Sequence, residues 1–220
     1  MIEYVVPGNI DDRVLSRAAR LLSGGGIVAL PTDTSWSLTC STASKDGIKK
    51  LKSLSGGRDE RHFTLLCSDI SQFGELCSMD NTRFRLIRRL SPGPYVFILK
   101  TLPGTEKTLN LRRREAGVRI PDHPIPLALI KTLGGPLYSI TAKRTATDDG
   151  FQDEEEGTES RMPPIPREEL FEGGWELEDI NGIDLIIDGG EEQERIFSTI
   201  LDLSGDEVTL IRAGTGSWPA

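Results

Sequence analysis

The 220-residue chain is short of cysteine and histidine, with three Cys (Cys40, Cys67, Cys77) and two His (His62, His123). The cysteines are odd in number and form no CxxC pair. A disulfide framework is therefore not expected, and a cytoplasmic location is the expectation. The two histidines are too few, and too far from the cysteines, to suggest a zinc site. No apolar run approaches the roughly 18–20 residues that a membrane span requires, so no membrane partner is expected. The opening MIEYVVPGNI lacks the basic start and apolar stretch of a signal peptide. A Walker-type glycine loop, an acid–base dyad and a metal-ligand cluster are also missing from the motifs. What remains, 37% apolar and 27% charged residues, reads as a soluble globular protein with a substantial core.

The net charge of −8 is unevenly spread. Residues 148–179 hold 13 acids and two bases (Arg161, Arg167), and residues 45–119 hold 16 bases and eight acids. The acidity thus belongs mostly to one segment. The basic stretch either serves an anion such as a nucleotide or RNA, or is a set of solvated side chains.

Periodicity gives alternating strands and helices, a mixed α/β architecture. Strands are expected at Ile2–Val6, Ile27–Leu30, Phe63–Cys67, Tyr95–Leu99, Gly117–Ile120 and Leu137–Thr141, then Ile183–Ile187, Ser198–Leu203 and Glu207–Arg212. Helices are expected at Asp11–Ser23, from a Ser44 cap through Ser53, at Asn81–Leu90 and near Pro126–Leu133. Residues 146–180 read as an acidic insertion, partly disordered or flap-like. Its first part is too poor in aliphatics to offset the entropy of ordering. Leu170, Phe171 and Trp175 are candidates to pack back on the body. The insertion is either a solvated loop or a flap that shields an anion site.

The chemical motifs fall on strand ends and turns. Thr32, Asp33, Thr34 and Ser35 follow a strand and Pro31. Small hydroxyls at a strand exit suit phosphate or carboxylate, although such residues also build ordinary turns. Arg119 sits in an otherwise apolar strand and needs an anionic partner, either a ligand or a structural carboxylate. Ser139 and Thr141 alternate on one strand and share a face. Ser198 begins a late strand and Arg212 ends the last one. Together these supply hydroxyls and guanidinium groups that suit binding and orienting an anion rather than nucleophilic catalysis, and no catalytic residue is assigned.

GGGIVALPTDTSWSLTC, RLSPGPYVFILK, GVRIPDHPI, PLYSITA, IIDGG, STILDL and IRAG occur in this order over roughly residues 10–214. In that order they resemble the signature of the YrdC-like domain family. FTLLCSDIS, MDNTRFRLIRR and SPGPYVFIL are especially similar to its YciO branch. The resemblance implies one α/β domain over 1–220, with a twisted mixed sheet, flanking helices and a large concave surface. It implies ATP as a substrate, with Mg2+ accompanying it and no tightly bound cofactor. In the family, threonine, bicarbonate and ATP give threonylcarbamoyl-AMP and pyrophosphate, which serves threonylcarbamoylation of adenosine in tRNA. Double-stranded RNA binding is also associated with the family.

By this resemblance Thr32, Thr34, Arg119 and His123 fall on substrate-binding elements. Arg58, Ser139, Thr141, Lys143, Ser198 and Arg212 fall on nucleotide-binding ones. Two positions depart from the family pattern. Ser55, Gly56, Gly57 and Arg58 stand where active synthases carry a KxR pair, and Lys143 stands in place of an asparagine whose amide offers both donor and acceptor. Three functions remain open at this point: a diverged enzyme of threonylcarbamoyl-adenosine tRNA metabolism, a retained threonylcarbamoyl-AMP synthase, or a non-catalytic RNA or nucleotide binder.

Overall fold

Helix starts are written into the sequence as short acceptors. Asp11 accepts from Arg13 N at 2.8 Å and opens α1 (Asp12–Ser23). Ser44 accepts from Gly47 N and opens α2 (Lys45–Leu54). Asp69 accepts from Gln72 N and opens α3 (Ile70–Leu76), and Asp80 accepts from Arg83 N and opens α4 (Asn81–Leu90). Each cap satisfies an amide that has no partner within its helix. A short α5 (Thr105–Thr108) follows Gly104. The last helix, α6 (Pro124–Leu133), is capped by His123 and stops at Gly134, whose φ of 77° suits a residue without Cβ.

The computed structural model describes residues 1–56, 63–109, 114–144 and 166–218. The strands are β1 (Ile2–Tyr4), β2 (Val28–Leu30), β3 (Ser37–Ser41), β4 (Thr64–Leu66), β5 (Tyr95–Lys100), β6 (Glu115–Arg119), β7 (Leu137–Thr141), β8 (Leu185–Asp188), β9 (Thr199–Asp202) and β10 (Thr209–Arg212). They form one mixed ten-stranded sheet in the order β1-β8-β2-β3-β7-β4-β6-β5-β9-β10. This is the mixed α/β single-domain fold that the sequence implied. Five described elements go beyond the sequence expectation: β3, α3, α5 and two short 3-10 helices at Arg167–Glu169 and Gly174–Leu177.

Alternation along the strands sends side chains to two cores. Val28, Leu30, Leu66, Leu137, Leu185 and Ile187 pack with α1 and α6 on one face. Ile27, Ala29, Leu38, Cys40, Leu65, Phe97, Val118, Tyr138 and Ile186 pack on the other, where α2 contributes Ile48 and Leu51, α3 Phe73, and α4 Ile87 and Leu90. All three cysteines are free and buried, and burial pushes the thiols of Cys40 and Cys77 up to about 12. They behave as small apolar side chains rather than nucleophiles.

Residues 146–165 of the acidic segment lie outside the described residues. From 166 onward the chain joins the body: Leu170, Phe171 and Leu177 are buried. Gly174 lies so close to Asp188 and Trp36 that a Cβ there would meet Asp188 Oδ2 at 2.5 Å. Trp175 does not pack inward; it is 63% exposed. Glu176 secures the segment, accepting from the amides of Glu172 and Gly173 and pairing with Arg144. Among the described residues, no helix is long and apolar enough to cross a membrane.

Candidate anion-binding site

The turn between β2 and β3 is organised by Thr32. Its hydroxyl donates to Ser35 O at 2.8 Å, accepts from the amides of Thr34 and Ser35, and lies 3.1 Å from Thr34 Oγ1. This network turns the chain while keeping Thr32 and Thr34 buried. Pro31 ends β2, and β3 begins at Ser37.

Arg119, the last residue of β6, reaches into this turn. Its guanidinium donates to Thr34 Oγ1 at 3.0 Å, to Asp33 Oδ1 at 2.7 Å and to Gly93 O at 3.2 Å. Arg119 is buried, and the Asp33 side chain is largely enclosed at 14% exposure. Burial pulls the Arg119 pKa down, and the Asp33 carboxylate opposes that effect. Asp33 Oδ1 also accepts from Asp122 N, whereas Asp33 Oδ2 is buried without a hydrogen-bond partner among the described residues. The sequence reading left two partners open for Arg119. It has the structural carboxylate, and one carboxylate oxygen remains unsatisfied.

Arg212, at the end of β10, is held differently. Its Nε and Nη2 donate to Ser198 O at 3.1 and 2.9 Å, and Nη2 also lies 3.1 Å from Ser198 Oγ. Its guanidinium stacks over the Phe197 ring at 5.2 Å. Burial, followed by repulsion from Arg119, pulls its pKa down to about 10. Arg212 has no carboxylate partner among the described residues. A buried and a half-buried guanidinium thus lie near enough to repel each other, and among the described residues only Arg119 has a carboxylate counter-ion. This arrangement favours an incoming anion.

The remaining sequence-predicted residues are spread around this centre. His123 caps α6 by accepting from Ile125 N at Nδ1, 3.2 Å away, which leaves the proton of the neutral ring on Nε2. Burial lowers the His123 pKa, opposed by Asp33, Glu191 and Asp122. Ser139 is buried on β7 and donates to Thr64 O at 3.2 Å. Thr141 lies two residues further on the same face, paired with Ser37 of β3. Lys143 follows Ala142, whose amide bonds to Trp36 O. Arg58 lies outside the described residues. The structure therefore joins Thr32, Thr34 and Arg119 by direct contact, and Ser198 with Arg212 likewise. It links the two groups through the Arg119–Arg212 repulsion. Ser139 and Thr141 line the same sheet face as Arg119 without a described contact to it.

Two contributors escaped the sequence reading of the site. Asp33 was noted only as part of the turn, although an arginine in an apolar strand signals that a buried acid is needed nearby. Glu172 lies far away in sequence, yet its carbonyl accepts from Trp36 Nε1 and Gln193 N, and its carboxylate pairs with Arg195 at 3.2 Å. Ile196 N in turn donates to Thr34 O. Residues 166–180 and 191–197 are thereby tied to the site turn, and no local sequence pattern announces such tertiary ties.

The chain resembles several known proteins over most of its length. The profile of the family Sua5_yciO_yrdC, described as "Telomere recombination", matches residues 20–157. YciO of Escherichia coli strain K12, itself an uncharacterised protein, is 30% identical over 214 residues, covering 97% of this chain and 95% of the relative. Its crystal structure superimposes with a TM-score of 0.77 at 28% identity, covering 100% of this chain and 98% of that one. The threonylcarbamoyl-AMP synthase of Mus musculus is 28% identical over 196 residues; the match takes in 86% of this chain and 62% of the synthase. The P. abyssi Sua5 crystal structure, complexed with L-threonine, shares the fold at a TM-score of 0.77 and 23% identity, over 97% of this chain and 57% of that one. The profile match and the full-length likeness to YciO place this chain in the Sua5/YciO/YrdC family.

Proposed function

We propose that the chain binds a nucleotide with its phosphate between Arg212 and Arg119, and that it is a diverged enzyme of threonylcarbamoyl-adenosine metabolism in tRNA. Its ligand in this reading is a threonylcarbamoyl adenylate or a threonylcarbamoyl-adenosine in RNA. The observation that carries the reading is Arg212, a half-buried guanidinium held by Ser198 beside a second arginine and, among the described residues, without a carboxylate of its own. A phosphate supplies the missing charge and accepts from both guanidinium groups and from the Ser198 hydroxyl. Thr32, Thr34 and His123 supply the polar wall for the acyl part, and ATP with accompanying Mg2+ is the nucleotide to test first. The synthase relatives support the substrate class.

Calorimetric titration with ATP and AMP tests this reading. The intact chain is expected to bind, and Arg212→Ala is expected to bind about 10- to 100-fold more weakly, the loss of one charge-assisted contact. No binding by the intact chain, or equal binding by the variant, would reject it.

A second reading, retained threonylcarbamoyl-AMP synthesis, is favoured by the survival of Ser139, Thr141, Ser198 and Arg212 at the matching positions. It is weakened by Ser55, Gly56 and Gly57 in the KxR region and by Lys143 in place of asparagine. Two lost phosphate contacts imply turnover roughly 10²- to 10⁴-fold below that of a synthase that keeps them. Measurement of AMP and pyrophosphate from ATP, threonine and bicarbonate separates the two readings. Salt-sensitive RNA binding without turnover would instead support a non-catalytic double-stranded RNA binder.

A further inference from the structure

The first edge of the sheet carries a surface that the nucleotide site does not use. β1 ends the sheet, so among the described residues one side of the Ile2–Tyr4 backbone has no strand partner, while Val6 just beyond it bridges locally to Asn9. Tyr4 is 65% exposed and Val6 68%. Tyr4 is in register with Asp188, so the two side chains project to the same face. On that face Asp188 Oδ2 accepts from Gly174 N at 3.1 Å, and the next residue is the exposed Trp175. Val5 N donates to Asp188 O, and Gly189 packs close to Pro7. These contacts place Tyr4–Pro7, Gly174–Trp175 and Asp188–Gly190 side by side. Two exposed aromatics and a valine thus border an open sheet edge, an apolar patch suited to cover by a partner.

The surroundings state what charge would be accepted. Residues 166–195 hold eleven acids against Arg167 and Arg195. Glu178, Asp179, Glu191 and Glu192 are all exposed, and the last two follow directly on Gly190. This environment repels phosphate and attracts cations. The far edge is less suited to pairing: β10 shifts register between Leu210 and Arg212, and Arg212 is committed to Ser198.

We propose that the β1 edge, with Tyr4, Val6 and Trp175, is a docking site for another protein that adds an extended, positively charged segment to the sheet. The open β1 backbone supplies main-chain pairing. Tyr4 and Trp175 supply apolar area and aromatic faces for lysine or arginine, and the exposed acids supply charge selection.

A labelled, end-blocked hexapeptide of alternating lysine and valine serves as the probe, titrated into the full chain and followed by fluorescence anisotropy. A glutamate-for-lysine counterpart is the control. The lysine peptide is expected to bind at least tenfold more tightly than the glutamate peptide, and to weaken as salt is raised. Tyr4→Ala and Trp175→Ala are each expected to weaken it about tenfold. Tyr4→Phe and Trp175→Phe keep the rings and should retain most of the affinity, which separates docking from misfolding. Methylating alternate peptide amides should abolish binding if strand addition is involved. Equal binding of the two peptides, indifference to both alanine variants, or survival of binding after amide methylation would each overturn the proposal. So would a homodimer that the two alanine variants dissolve, because the occupant would then be a second copy of this chain.

Discussion

One face of the sheet has two halves built to opposite ends. On β4 and β7 the change occurs within two residues. Leu66 and Leu137 pair with each other and are buried under α1 and α6, while Thr64 and Ser139, the next pair on that face, carry hydroxyls. Beyond them Thr141, Gly117, Ile98 and Ile200 stay partly exposed. The covered half puts aliphatic side chains against aliphatic helices, where every methyl contributes to stability. The open half puts hydroxyls, a glycine and two arginines where a helix would otherwise lie. It contributes little apolar burial. Under the proposed function, stability and binding divide across a single surface, and substitutions either side of the boundary should report different quantities.

The largest effect is expected where the open half is itself buried. Arg119→Met leaves the largely enclosed Asp33 carboxylate with one oxygen unpartnered among the described residues and the other deprived of its cation. Removing one partner of a buried pair costs about 3–5 kcal/mol. Chemical denaturation should show that loss, and the double variant Arg119→Met with Asp33→Asn should recover part of it because no unpaired charge remains. A single variant as stable as the native chain would mean that the pair is solvated and the site open to bulk water.

Across the boundary, Leu137→Ala should destabilise by about 2–5 kcal/mol while leaving nucleotide affinity unchanged. Ser139→Ala, two residues along the same strand, should cost about 1 kcal/mol and reduce affinity instead. Denaturation midpoints and titration of both variants test the division directly. If both variants change only stability, Ser139 belongs to the framework and the boundary lies further along the strand.

The covered half was the more legible in the sequence. Apolar spacing locates α1, α2 and α4, of which only the Ser44 cap of α2 is read in advance, and the late strands follow from aliphatic runs. β3 is not legible because SLTCS sends hydroxyls to one face and only Leu38 and Cys40 to the other, and although all five residues are buried the pattern reads as part of the preceding turn. α3 buries one residue, Phe73, which gives too little periodicity to register. The site motifs were visible as isolated hydroxyls and arginines. Their assembly was not, because Thr34, Arg119 and Arg212 are brought together by strand order, which no local pattern encodes. Residues 166–180 show the same limit. Leu170 and Phe171 are legible there as residues that pack back, but Leu177 is not, and Trp175 stays exposed because its surroundings are set by residues distant in sequence.

The two arginines offer a smaller and more specific comparison. Arg212→Lys keeps the positive charge but loses the planar fork that holds Ser198 O through two nitrogens. Its affinity for ATP should fall by less than that of Arg212→Ala, which loses about 1.5–3 kcal/mol of binding. Stability should change little in either variant, since no carboxylate among the described residues is left unpaired. Calorimetric titration of the two variants side by side provides the check. Equal affinity of lysine and alanine variants would show that geometry rather than charge governs the contact.

The smallest effect concerns His123, which belongs to both halves: it caps α6 of the covered half and lies close enough to Asp33 to feel its charge. Burial holds its folded-state pKa below the ordinary 6.5, against the pull of Asp33, Glu191 and Asp122. In the window between that lowered value and 6.5 the unfolded chain binds more protons than the folded one. Stability contributed by neutral His123 is therefore present above 6.5 and is lost as the pH falls through the window. The structural reason is local, because a protonated Nδ1 cannot accept from Ile125 N. Asn at this position retains an acceptor for the helix amide and does not titrate. His123→Asn should stay within about 1 kcal/mol of the native chain at neutral pH, the worth of a cap. It should also show a shallower loss of stability between pH 7 and pH 5. Denaturation at a series of pH values measures both slopes. Identical slopes would mean that acid sensitivity arises from carboxylates elsewhere and that the cap survives protonation.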